Sequence, residues 1–229
     1  MATAYVTHPR YIEHDLPGHP ECAGRIEAIW QELDAAGLSG RMSSVLAQPA
    51  SMDLILSAHT PHYLDTLQWV TQSHQATVLL NPDTYFCPAS LEIARLAAGG
   101  VVLAVDQVLS GQVANALAVI RPPGHHAVPG NAMGFCLLGN VALAAKHAQQ
   151  QHQLERILIV DFDVHHGNGT QEMLYDDPRA LFVSTHQYPF YPGAGAVQET
   201  SSGEGRGFTV NIPLSAGHGD TNYAAVYET

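Results

Sequence analysis

Two hydrophobic rhythms alternate along the chain. Short apolar, β-branched runs at 5–7, 114–120, 157–160, 180–184 and 208–214 predict strands. Between them, apolar positions recur with helical spacing at 23–36, 52–59, 61–73, 88–109, 140–151 and 171–175, and again from Tyr223. Gly37 is placed to end the first helix, Pro61 to open the third, and Thr170 to cap the helix at 171–175. The Ala-rich stretch 88–109 predicts a helix buried on several sides. Residues 14–21 and 81–87 read as loops by their Pro and Gly content or polarity, and 198–207 as an exposed polar loop. Strands alternating with helices imply a mostly parallel α/β sheet, and without a repeat, linker or low-complexity tract residues 1–229 are expected to be one domain.

The polar residues that matter gather at predicted strand ends. Ile157–Val160 is a continuous apolar run, the pattern of a strand covered on both faces. It runs into Asp161, Asp163, His165 and His166. If the strand persists, Asp161, Asp163 and His165 share one side at roughly 6.6 Å spacing, close enough to converge on one metal ion once Gly167 and Gly169 bend the chain. Two carboxylates and two imidazoles beside a buried strand are costly to desolvate without such a partner. The strand at 114–120 ends in Arg121-Pro-Pro-Gly-His-His-Ala127, and that at 180–184 in Thr185-His186. Ligands of such sheets bind beyond the carboxyl ends of the strands. A metal there would activate water, and the His125–His126 pair is the evident source of a neutral base. Phe135, Phe190 and Tyr191 fit equally a core or the walls of a narrow apolar channel.

Composition narrows the partners. A formal charge of −12 with no Lys/Arg run argues against direct nucleic-acid binding. Three widely spaced cysteines without a CxxC pattern suggest reduced thiols and a cytoplasmic protein. No apolar run reaches membrane-spanning length, and the first residues have no signal-peptide pattern.

Taken together, Arg121–Ala127, Gly134-Phe-Cys136, Asp161-Phe-Asp-Val-His-His-Gly-Asn-Gly169 and Tyr188-Pro-Phe-Tyr-Pro-Gly193 resemble the motifs of the histone deacetylase and acetylpolyamine amidohydrolase superfamily, in its class II-like bacterial branch. His19-Pro-Glu21 with Arg25, and Asp83-Thr-Tyr85, match earlier landmarks. The resemblance covers essentially the whole chain. It implies an arginase-like three-layer α/β fold with helices on both faces of the sheet, and zinc-dependent hydrolysis of acetylated lysine side chains or small acetylated amines. By motif position Asp163 and His165 would be zinc ligands, and His126 the general base, with His125 assisting. Asp161 would orient His125, and Asn168 would partner His126. Gly134, Phe135, Phe190 and Tyr191 would line the acyl-lysine tunnel, with Asp83 at its rim. Potassium would bind through the Asp161–His165 and Ser184–Thr185 segments.

The resemblance also has departures. Leu138-Gly139-Asn140 replaces a bulkier residue before the helix, and Ala194 a usual Thr. The third zinc ligand and the oxyanion tyrosine of the family lie past the point matching Thr229, and Asp220 does not substitute. The chain is therefore expected to be the N-terminal part of a deacetylase domain. The competing expectations are an acetylpolyamine amidohydrolase and an inactive chain serving as a binding or dimerising module.

Overall fold

The structure, a computed structural model, describes residues 2–73 and 75–228. The chain divides after Leu154 into two compact units.

The N-terminal unit is built on a parallel sheet of three strands. β1 (Thr3–Thr7) lies between β2 (Ser43–Leu46) and β5 (Asn115–Ala118), with Ala4 opposite both Ser43 and Ala116. Helix α1 (Ala23–Ala35) makes the crossover from β1 to β2; its first free N–H, on Ala23, is taken by the Asp15 carboxylate at 2.7 Å. Gly37, at φ +64°, ends it as expected. Helix α2 (Met52–Leu56) is shorter than its apolar pattern and is capped by Ser51, while α3 (Pro61–Ser73) has the expected bounds. Where a loop was expected, the chain forms an antiparallel hairpin of β3 (Val78–Asn81) and β4 (Thr84–Phe86). These strands are too short and the Asn81-Pro-Asp83 tip too turn-like for a period of two to show in the sequence.

Helix α4 (Ser90–Leu109) is the unit's central pillar. A Cβ on Gly99 would stand 1.8 Å from the Gln48 carbonyl oxygen, so the bare glycine lets the 47–50 segment lie against the helix. Tyr11, Ile26, Ile93, Leu96 and Ala97 fill one core beside β1. A second core gathers Ile55, Leu64, Leu67, Phe86, Leu137 and Leu143 between α2, α3 and α5 (Asn140–Gln151).

The C-terminal unit holds a second parallel sheet, in the order β6 (Ile157–Asp161), β7 (Ala180–Gln187), β8 (Thr209–Leu214), with α6 (Asn168–Met173) and α7 (Asp220–Tyr227). Asp161 pairs with Ser184, and Thr185 with Ile212. Two local expectations change. Helix α6 begins three residues early with Gly167 at its N-cap, so Thr170 is buried inside the helix. The β6 run has Leu158 62 % and Val160 42 % exposed, so one face is open. A continuous apolar run permits burial on both faces without requiring it. No helix among the described residues is long and apolar enough to cross a membrane.

Candidate active site

In the N-terminal unit the residues named from sequence converge on one turn. Met133 and Cys136 form a bridge, each donating its N–H to the other's carbonyl at 3.1 and 2.9 Å. The two residues between them both have positive φ, Gly134 at +53° and Phe135 at +69°. That is the backbone of a type I′ turn, which glycine adopts freely and phenylalanine rarely. Gly134 has a second reason to be bare: a Cβ there would lie 2.3 Å from His126 Cδ2. The turn thus backs directly onto the His126 ring.

His126 is buried, and its ring centroid lies 3.9 Å from that of His125. The loop carrying the pair is anchored on both sides. Asn140, at the start of α5, donates Nδ2–H to the Pro122 carbonyl at 3.1 Å. A Cβ on Gly124 would stand 2.6 Å from the Asn140 nitrogen, so this glycine is needed for the close approach. Before the loop, the buried Arg121 guanidinium donates to Glu21 Oε1 at 3.0 Å, to the Tyr11 and His14 carbonyls, and to the Tyr85 hydroxyl at 3.2 Å. Arg25 closes this set by pairing with the other oxygen of the fully buried Glu21. Arg25 therefore braces, through Glu21, the Arg121 that precedes the histidine loop.

Asp83 joins the same assembly through Thr84. The Thr84 hydroxyl donates to Asp83 Oδ1 at 2.6 Å and accepts the Phe135 N–H at 3.0 Å. The Phe135 ring meets His19 edge-on at 5.1 Å. The structure so brings Asp83, His125, His126, Gly134 and Phe135 together. Thr84 is a joint to which sequence reasoning assigned no role, although it stands in the middle of the Asp83-Thr-Tyr85 landmark.

In the C-terminal unit the Asp163 and His165 side chains meet, by a different route from the one expected, while the Asp161 carboxylate turns onto the backbone. The strand stops at Asp161, and two successive side-chain turns take over. Asp161 Oδ1 accepts the Asp163 N–H at 3.1 Å, and Asp163 Oδ1 accepts the His165 N–H at 2.8 Å. Gly167 leaves room for the Asp161 carboxylate, whose Oδ2 would be 2.2 Å from an added Cβ. Asp163 Oδ1 and His165 Nδ1 face each other at 3.0 Å. Two donors on one tetrahedral zinc, with bonds of about 2.0–2.1 Å, lie about 3.3 Å apart. The pair therefore fits a shared ion with a shift of a few tenths of an ångström. The His165 ring stacks on Phe190 at 5.2 Å and meets Tyr191 edge-on at 5.9 Å. Asn168 is the first residue of α6, with its backbone N–H on the His166 carbonyl at 2.9 Å.

Behind this turn is a buried polar network with no mark in the sequence. Gln171 accepts from Asn211 at 2.8 Å, contacts His166 Nε2 at 3.0 Å, and donates to Glu199 Oε2 at 2.7 Å. Glu199 Oε1 accepts the Gly195 and Ala196 N–H groups at 3.0 and 2.9 Å. Burial pushes Glu199 up, but Gln171 and those two N–H groups together hold it below the usual carboxylate range. Burial, reinforced by His186, lowers His166, and burial likewise lowers His186, so the site favours the neutral form of both rings. The 198–207 segment, expected to be merely exposed, is tied down through Glu199.

Comparison with known proteins agrees with these motifs. The family model described as the histone deacetylase domain matches residues 19–229. A probable deacetylase of Archaeoglobus fulgidus is 42 % identical over 231 residues, spanning 100 % of this chain and 63 % of that protein. A histone deacetylase-like amidohydrolase of Pseudomonas aeruginosa is 40 % identical over 205 residues, spanning 89 % of this chain and 53 % of that protein. The crystal structure of the HDA15 HD domain superposes with a TM-score of 0.94 at 36 % identity, over 100 % of this chain and 67 % of that one. These matches bear out the α/β three-layer class read from the motifs. The chain spans about half to two thirds of the length of these curated relatives.

Proposed function

Because the chain belongs to the histone deacetylase family, we propose that it serves a zinc-dependent deacetylase that hydrolyses the acetyl amide of acetylated lysine side chains. Both units would belong to one catalytic domain, a reading supported by the family match running from residue 19 to 229. The observation that carries the metal assignment is the Asp163 Oδ1 to His165 Nδ1 approach at 3.0 Å, beside the Phe190 and Tyr191 rings. Zinc held there would supply Lewis acidity, polarising an amide carbonyl and making water nucleophilic near neutral pH.

The residues of the chain would do the rest. His126 takes a proton from the attacking water and returns it to the leaving amine, with His125 stacked beside it. Asn168, in the role that resemblance gives it as partner of His126, leaves that imidazole neutral at the start, whereas a carboxylate would favour the charged form. Asp161 takes the role that the resemblance gives it, orienting His125. Phe135, Phe190 and Tyr191 exclude water from the substrate's aliphatic stem, Gly134 keeps the wall thin against His126, and Asp83 grips the substrate backbone. Potassium is assigned to the Asp161–His165 and Ser184–Thr185 segments, which the Asp161–Ser184 strand pairing sets side by side. A cytoplasmic location is proposed from the reduced state of the three cysteines, Cys22, Cys87 and Cys136.

The test uses the protein that carries this sequence. Asp163→Ala and His165→Ala are each expected to lower bound zinc by elemental analysis and to abolish hydrolysis of an acetyl-lysine peptide. His126→Ala is expected to keep zinc and to lose roughly 10²–10⁴-fold in turnover. Faster turnover on an acetylated polyamine than on the peptide would reassign the substrate. Turnover unaffected by either set of substitutions would overturn the proposal.

A further inference from the structure

A second group of metal-ligand side chains lies in the N-terminal unit, made of residues with no part in the candidate site. Asp106 is in the last turn of α4, His147 is on α5, and His152 is the residue that closes α5. One ligand atom from each comes within 4.8 Å of the other two. His147 Nε2 and His152 Nε2 both stand 2.7 Å from the same oxygen, Asp106 Oδ1. Residues five apart on a continuous helix point about 140° away from each other at 3.6 residues per turn. Both imidazoles nonetheless reach the same carboxylate oxygen, His152 doing so from the C-cap, where it has φ −108° and ψ 0°.

We propose that Asp106, His147 and His152 form a binding site for a divalent first-row transition cation of the zinc class, distinct from the Asp163–His165 pair. Two imidazoles and one carboxylate are the donor set such ions take, and three protein ligands leave a position for water. Ligand atoms on a tetrahedral ion sit about 3.3 Å apart at bonds of about 2.0–2.1 Å. Opening the two 2.7 Å contacts to that spacing needs small side-chain rotations. The three side chains are 37 %, 16 % and 28 % exposed, so the cation has a path in and the ligands have room to adjust. Asp106 and His147 also line a cleft of about 490 Å³ whose other walls include Asp53, Gln48 and Gln151. That cleft leaves the open coordination position facing a space lined by both polar and apolar side chains. The bound ion would clamp the last turn of α4 to the end of α5.

A hydrogen-bonded trio without metal is the competing account, and stoichiometry separates the two. The protein is prepared with Asp163→Ala and His165→Ala, so that metal at the proposed catalytic pair does not enter the count. It is stripped with chelator and titrated with Zn²⁺, then with Co²⁺ as a spectroscopic probe. The proposal expects one equivalent of either ion, a cobalt spectrum of low coordination number with nitrogen ligands, and a rise in melting temperature on zinc addition. Adding His147→Gln or His152→Gln should weaken binding by tenfold or more and remove the thermal shift. Asp106→Asn should weaken it as well, while keeping a hydrogen-bonding side chain in place. All three positions are partly exposed, and melting without metal checks that each variant is folded. Absence of a bound equivalent, or binding equally tight in all three variants, would overturn the site. Neither result bears on deacetylation, which is read from the unsubstituted protein.

Discussion

Gly134 satisfies two demands at one position. Its φ of +53° favours glycine, and the space where a Cβ would go holds the His126 ring. Gly134→Ala meets the backbone demand at a cost of about 1–2 kcal/mol, which a folded domain survives. The steric demand is harder, because the new carbon would force the imidazole or the turn to move. Displacing a positioned group by about 1 Å can cost about 10²-fold in rate. The expected outcome is a fall of that order in kcat/KM on an acetyl-lysine peptide, with an unchanged circular dichroism spectrum and unchanged zinc content. Wild-type kcat/KM in a folded Gly134→Ala protein would show that the placement of His126 does not matter. Residues such as His125, His126, Asp163 and His165 were legible in sequence because each sits in a contiguous polar run at a strand end. Glu199 was not legible: its partners Gln171 and Asn211 lie 28 and 12 residues away, and nothing local distinguishes it from a surface carboxylate.

Among the elements, the β3–β4 hairpin gives the sharpest contrast between pattern and structure. Strands of three or four residues beside Asn81-Pro-Asp83 leave no alternation to read, whereas α3 and α5 fill one or more full turns of apolar period and were bounded to the residue. Yet this hairpin carries Thr84, whose hydroxyl links Asp83 to the Phe135 turn. Thr84→Val keeps the shape of this buried residue and deletes only the hydroxyl. The Phe135 N–H then loses its acceptor, at a cost of about 1–3 kcal/mol for an unsatisfied buried donor, and Asp83 loses a fixed partner. A lower urea midpoint is expected, together with a KM that rises more than kcat falls, as suits a residue that grips substrate. An unchanged midpoint and KM would show the linkage to be incidental. The β6 end makes the complementary point. The closeness of Asp163 and His165 was readable from spacing, but the turns that produce it, and that draw Asp161 onto the Asp163 N–H, were not, because a strand of unknown length predicts only which side a residue faces.

On the scale of the whole molecule, the alternation of strand and helix fixed the α/β class, since that period repeats over the full chain. The division after Leu154 falls in His152-Gln-Leu-Glu-Arg156, a polar stretch with no Gly or Pro to mark it. Whole-molecule stability carries a pH dependence to which buried histidines contribute, and two of them, His14 and His59, are shifted furthest. His14 is pushed down to about 3, first by burial and then by the Arg121 charge, with its Nδ1 2.7 Å from the Ser90 hydroxyl and its ring stacked on Tyr85. Burial pushes His59 down to about 4, against the opposing pull of the Pro129 and Val128 carbonyls. His59 Nε2 accepts the Gly139 N–H at 3.0 Å, which requires the neutral ring. Unfolded, both histidines titrate near 6.5. Above that pH neither state binds the proton, and the stability these neutral rings allow is fully present. As pH falls below about 6.5 the unfolded chain takes up protons that the folded chain refuses. Stability then declines by up to about 1.4 kcal/mol per pH unit for each histidine, until the folded groups themselves titrate near 4 and 3. Urea midpoints measured between pH 7.5 and 5.0 should therefore drop steeply, and His59→Gln should flatten the slope while lowering the midpoint at pH 7.5. A slope identical in wild type and His59→Gln would show that other groups govern the loss.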